Sequence, residues 1–119
     1  MSIMRLDHVQ VAIPEGAEGE ARAFYCTLLG FSELEKPEAL RAGGGLWLKA
    51  GSAELHLGIE DPFRPAAKAH PCFVVADLDA LDAVLLSHGY GVRPDERIRD
   101  RRRFFTDDPF GNRLEFVQA

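Results

Sequence analysis

Cysteine is scarce: Cys26 and Cys72 are the only two in the chain, too few for a disulfide-stapled scaffold. Each lies in an apolar stretch, which predicts buried free thiols. Long apolar runs are also missing, and none approaches the length that crosses a bilayer. No basic segment followed by an apolar one resembles an export signal. These absences predict a cytoplasmic protein with no membrane partner. Excess positive charge is lacking as well. Nineteen acidic residues against 14 basic ones leave a net charge of −5, which argues against a nucleic-acid partner. What remains is 119 residues, 46% hydrophobic and 28% charged. That is ordinary for one globular domain large enough to hold its own core.

Within that domain the chain states one pattern twice, and internal repeats bound the architecture before any local feature does. The first half opens on Leu6-Asp7-His8-Val9 and the second on His70-Pro71-Cys72-Phe73. Each opening is followed by a helix-like stretch, a polar segment and paired extended runs. The spacing predicts strands over 6–13, 31–34, 41–49 and 53–59, with a helix over 17–29 whose stripe is Ala21, Phe24, Tyr25 and Leu28. The second half predicts strands over 70–76, near Val92, over 101–106 and over 112–118, with a helix over 78–88. Gly30 suits the position just past a helix end, and Asp107 to Gly111 is rich in turn formers. The expected fold class is α+β: two β-α-β-β-β modules, residues 1–61 and 70–119, joined by a linker over 62–69. Each module is expected to be a curved mixed sheet with its helix on the convex face.

Strand parity then sorts the side chains. Over 53–59, Ala53, Leu55, Leu57 and Ile59 form an apolar face opposite Glu54, His56 and Gly58. Over 70–76, Pro71, Phe73 and Val75 oppose His70, Cys72 and Val74; in the last strand Leu114 and Phe116 oppose Arg113, Glu115 and Val117. If each apolar face packs on its helix, then His8, Gln10, Glu54, His56, His70 and Glu115 project from the other side. Neutral imidazoles and carboxylates with open positions beside them suit Zn, Ni, Mn, Fe or Co. Parity excludes Leu55 as a ligand but does not choose between Glu54 and His56.

The chain resembles the vicinal oxygen chelate superfamily, which includes glyoxalase I, fosfomycin-resistance transferases, extradiol dioxygenases and bleomycin-resistance proteins. The resemblance is carried by Leu6-Asp7-His8-Val9, by Ala23-Phe24-Tyr25 with Leu28-Leu29-Gly30-Phe31, and by His70 to Val75 with Asp77 to Leu81. The closing Asp108-Pro109-Phe110-Gly111-Asn112-Arg113-Leu114-Glu115 is its most specific piece. It implies a divalent metal held by His8, His70 and Glu115, with Glu54 favoured as fourth ligand and His56 as the alternative or as a group facing substrate. It also implies a homodimer and a small-molecule substrate bound through adjacent oxygens. Glu54, His56 and Glu115 are the candidates for catalytic proton transfer. Gln10, Trp47, His56, Arg103, Phe105 and Arg113 are the candidates for lining the substrate, with Arg103 holding a carboxylate or phosphate. Two function classes follow from the resemblance: a metal-dependent lyase, isomerase, thiol transferase or dioxygenase, and a metal-free drug-sequestering protein.

Overall fold

Two β-α-β-β-β modules make up the α+β fold, and a computed structural model describes all residues, 1–119. The chain divides into two units, Met1–Arg64 and Pro65–Ala119. In the first, β1 (Val9–Ile13) leads into α1 (Glu18–Ala21), which runs on as a wider, π-type helix over Arg22–Leu28. There follow β2 (Ser32–Leu34), a single helical turn α2 (Glu38–Arg41), β3 (Leu46–Ala50) and β4 (Ala53–Ile59). The second unit holds β5 (Cys72–Val75), α3 (Leu78–Ser87), β6 (Arg93–Pro94), β7 (Arg103–Asp107) and β8 (Arg113–Gln118).

Each unit builds one curved four-stranded sheet, in the orders β1-β4-β3-β2 and β5-β8-β7-β6. The first and last strands of each unit are parallel neighbours, and the other pairs are antiparallel. Alternation decides which face is buried. Val11, Ile13, Leu46, Leu48, Leu55 and Leu57 are all buried with Ala21, Phe24 and Tyr25 of the helix. In the second unit Phe104, Leu114 and Phe116 are buried with Leu78 and Leu85 of α3.

The helix expected over 17–29 forms with a different pitch. Leu29 N–H donates to the Phe24 carbonyl five residues back, at 3.0 Å. A widened turn rotates less per residue than an α-helical one, so the consecutive rings Phe24 and Tyr25 both reach the core. Gly30, at φ +86°, then turns the chain out of the helix. The segment 41–49 is extended only from Leu46, because 38–41 closes a helical turn first. The thiols are free as expected, but burial fails for one: Cys26 is half-buried and Cys72 exposed. Cys72 lies on an edge strand, on the face opposite Phe73, where its own unit places no helix.

Register makes the two units comparable row by row. Two residues beyond His8 stands Gln10, paired with His56, which is paired with Trp47. Two residues beyond His70 stands Cys72, paired with Glu115, which is paired with Phe105. His56 therefore occupies the first-unit position that Glu115 occupies in the second, and Glu54 occupies that of Arg113.

Candidate functional site

In the first unit the polar face is organised by three stacked rings. The His8 and His56 centroids lie 3.9 Å apart with planes inclined 16°, and Trp47 and His56 lie 4.1 Å apart at 8°. His56 is the middle ring and is only 4% exposed. Cross-strand pairing puts Trp47 on His56, since directly opposed residues on one face sit side by side and large flat side chains stack there. His8, two residues before the paired Gln10, reaches His56 diagonally. Gln10 flanks the stack. A Cβ at Gly58 would come within 2.5 Å of Gln10 Nε2, so that position needs a glycine for Gln10 to lie across β4.

Hydrogen bonds fix how these imidazoles present their nitrogens. His8 Nδ1 donates to Asp7 Oδ2 at 2.9 Å, and this bond is the main reason the Asp7 carboxyl is held below its ordinary range. Nε2 of His8 is the ring nitrogen that this bond does not use. His56 Nε2 meets Glu54 Oε2 at 2.7 Å. The ligand atoms of His8, Glu54 and His56 all lie within 4.8 Å of one another. Metal–ligand bonds of about 2.0–2.2 Å place neighbouring ligand atoms roughly 3 Å apart. Small side-chain rotations would bring these three donors onto one ion, and imidazole with carboxylate is the donor set that borderline divalent metals take. The residues fit the group.

The second unit builds its polar face from charge. His70 Nδ1 donates to the Lys68 carbonyl at 3.0 Å, and Nε2 points onto Glu115 Oε1 at 2.9 Å. The other Glu115 oxygen accepts from Arg103 at 3.0 Å. Arg103 also bridges to Asp95 at 3.0 Å, and Asp95 is bound in turn by Arg97. Burial pushes the Glu115 carboxyl up, but the hydrogen bonds from His70 and Arg103 outweigh it and hold the group below its ordinary value. Asp95 is held well below the usual range, chiefly by Arg97. Desolvation and the neighbouring Glu115 charge raise the Cys72 thiol to about 11, so it is protonated at neutral pH and is no nucleophile.

Each expected site residue can now be placed. His8, Glu54 and His56 converge in the first unit, beside Trp47 and Gln10. His70 and Glu115 converge in the second, with Phe105 against the His70 edge at 5.3 Å and Arg113 over the Phe105 ring at 4.1 Å. Arg103, expected to hold a substrate anion, already holds two carboxylates, and its side chain is only 9% exposed. His56, expected to face substrate, has both ring faces covered. Asp95 and Asp7 were not anticipated as supporting groups. Asp7 had a signal, since a carboxylate next to a histidine can orient it. Asp95 stood out only as one of the acids interleaved with the arginines, and nothing local paired it with Arg103, eight residues on across a loop.

A sequence profile of the Glyoxalase/Bleomycin resistance protein/Dioxygenase superfamily matches residues 5–116. A crystal structure of a protein described as glyoxalase family, from Bacillus anthracis, is 46% identical, covers 100% of this chain and 98% of its own, and superposes with a TM-score of 0.95. The antibiotic-binding protein TnmS3 from Streptomyces sp. CB03234 is 24% identical over 100% of this chain and 98% of its own, with a TM-score of 0.74. The fosfomycin resistance protein FosX from Listeria monocytogenes is 12% identical over 99% and 95%, with a TM-score of 0.79. These last two likenesses are of fold alone. No curated protein matches the sequence. The chain belongs to the Glyoxalase/Bleomycin resistance protein/Dioxygenase superfamily.

Proposed function

We propose that this protein is a metal-dependent enzyme of glyoxalase type, a lyase, isomerase, thiol transferase or dioxygenase acting on a small substrate with adjacent oxygens. One observation carries the proposal. His8 and His70 each have Nδ1 tied to an acceptor, while His70 Nε2 meets Glu115 and a ring nitrogen of His8 lies within 4.8 Å of the Glu54 and His56 donor atoms. Tying one ring nitrogen to fix the tautomer and aim the other is how metal-binding histidines are held. The ligand roles in this reading belong to His8 with His56 or Glu54 in the first unit, whose donor atoms lie within 4.8 Å of one another, and to His70 with Glu115 in the second. Register favours His56, the counterpart of Glu115.

A divalent cation of the zinc, nickel, manganese, iron or cobalt class held there would supply Lewis acidity toward substrate oxygens. The chain's own residues do the rest. Glu54 is more accessible than His56 and hydrogen-bonded to it, so Glu54 is the group that takes a proton from a substrate carbon and returns it. His56, locked between two rings, orients that carboxylate. Trp47 and Gln10 form the floor on which a flat substrate would lie. The active form is a homodimer, as is common in the superfamily.

A second reading is metal-free sequestration of a small molecule. Its support is that the donor groups already satisfy one another: Glu54 with His56, and Glu115 with His70. Metal analysis of protein purified without chelator, followed by zinc and nickel titration of wild type, His8→Ala and His56→Gln, separates the two. Stoichiometric metal in wild type and loss in His8→Ala are expected. A wild-type protein that takes up no divalent ion at millimolar excess leaves the sequestration reading in place. Light scattering at micromolar concentration tests the dimer.

A further inference from the structure

The geometry points to Arg113 as an anion anchor, and therefore to a substrate or ligand that carries a carboxylate. This inference deepens the proposed function by naming the substrate class and rests on that function's use of the polar sheet face.

The arginines of the second unit's sheet are nearly all committed. Arg93 makes two hydrogen bonds to Asp107, Arg102 is paired with Asp79, and Arg103 lies between Asp95 and Glu115. Arg113 makes no ion pair. Its guanidinium carbon sits 4.1 Å from the centre of the Phe105 ring, and its backbone N–H is tied to the Ala66 carbonyl at 3.0 Å. A guanidinium stacked on a ring is held flat, with its N–H donors spread around its rim and directed away from the ring. That fork matches a carboxylate by two parallel hydrogen bonds. The ring beneath Arg113 also meets His70 at its edge, so the free cation and the outward imidazole share one support on one face. A bound carboxylate would lie beside the His70–Glu115 pair.

Charge decides between kinds of anion. Asp107 is the cross-strand neighbour of Arg113, and Glu115 is two residues along the same strand and face. Both are already countered, Asp107 by Arg93 and Glu115 by Arg103, so the one uncompensated charge is that of Arg113, which matches a singly charged planar anion better than a doubly charged phosphate. The first unit puts Glu54 at the equivalent row position, so the cation is particular to the second unit.

The test follows the side-chain Nε–H signals of arginine by NMR in the full chain, with chelator present, while butyrate, butyramide or inorganic phosphate is added. Butyrate should shift the Arg113 signal saturably, at least tenfold more tightly than it shifts Arg99 or Arg101. Butyramide should do nothing, and phosphate should bind more weakly than butyrate. Read on the backbone amides of the flanking Asn112 and Leu114, Arg113→Lys should lose most of the butyrate response, and Arg113→Met all of it. An Arg113 signal no more responsive than those of Arg99 and Arg101 overturns the inference; so does an equal response to butyramide, or an undiminished response in Arg113→Met. Because no metal is present, failure here is distinct from failure of the metal titration, and either can occur without the other.

Discussion

The two halves of this protein share a topology and a row order, yet their polar faces are made of different chemistry. The first half centres on three stacked rings with one carboxylate at the side. The second centres on a buried arginine gripping two carboxylates. Charges at equivalent positions are reversed: Lys49 faces Glu54 across β3 and β4, whereas Asp107 faces Arg113 across β7 and β8. The histidines alone are kept alike, both before the first strand and both with Nδ1 tied back. A repeated scaffold therefore fixes where side chains project and leaves open what they are. The first half suits binding a flat group and moving a proton; the second suits fixing charge.

The largest expected effect breaks the charged half. Arg103→Met removes the partner from Glu115, whose side chain is only 12% exposed. Deleting one member of a buried ion pair costs about 3–5 kcal/mol, because the remaining charge stays desolvated. Chemical denaturation should show a loss in that range, and Arg103→Lys should recover only part of it, since the fork geometry is lost. A change below about 1 kcal/mol would mean that the network is solvated and that the two halves differ little in what holds their polar faces. The matching change in the first half is His56→Ala. It deletes two stacking contacts and a hydrogen bond to a half-buried carboxylate, for an expected loss of about 2–3 kcal/mol. If His56→Ala proved the more damaging of the two, the stack rather than the ion network would be the stronger structural element.

Much of this contrast was legible in the sequence, and the rest was not for physical reasons. Alternation in 53–59 placed Leu55 and Leu57 inward with Glu54 and His56 on the other face, because side-chain direction in a strand is a local property. The row pairing of His56 with Gln10 and Trp47 depends on how β1 aligns beside β4, a contact between distant segments that no local pattern encodes. The expectation of Glu54 as fourth ligand rested on the resemblance, and only register reveals that His56 is the residue in the row equivalent to that of Glu115. Arg103 could be read as one of a solvated run of arginines interleaved with Asp95, Glu96 and Asp100, or as an anion-holding group. Its two partners stayed hidden because Asp95 and Glu115 reach it from separate segments. The π-type turns of 22–28 were hidden for another reason: Phe24 and Tyr25 fit a helical stripe at either pitch. Cys72 sits in an apolar run, but an edge strand with one open face leaves it exposed.

A subtler intervention sharpens the comparison of the two histidines. Asp7 tethers His8 through a side chain that is itself 69% exposed, whereas the Lys68 carbonyl tethers His70 through the backbone. Only the first tether can be removed by mutation. Asp7→Asn should weaken metal binding by about tenfold while leaving the folded state intact, the usual size of effect for a group that orients a ligand. Zinc titration with circular dichroism as control reads both quantities. Unchanged affinity would mean that stacking on His56, not Asp7, sets the orientation of His8.

The smallest expected effect concerns how each half ties its helix down, and here too the charges are exchanged. In the first half the helix supplies the cation, with Arg22 Nε donating to Glu33 of β2 at 2.8 Å. In the second the helix supplies the anion, with Asp79 of α3 accepting from Arg102. The hydrogen bond from the arginine is in each case the main cause of a lowered carboxyl pKa, for Glu33 from an ordinary value of 4.5 and for Asp79 from 3.8. A carboxylate whose pKa is lower folded than unfolded adds stability above the unfolded value. That contribution is lost as pH falls through the folded one. Glu33 should therefore contribute fully above about pH 5 and progressively less below its unfolded value near 4.5. Both partners are nearly half exposed, so solvent screening limits the Glu33 contribution to about 0.5 kcal/mol. Wild type and Glu33→Gln should differ by that amount at pH 7 and converge as the pH falls through the lowered folded-state pKa, with the gap shrinking further in high salt. A difference that persisted undiminished at low pH would show that Glu33 acts through packing against the helix and not through its charge.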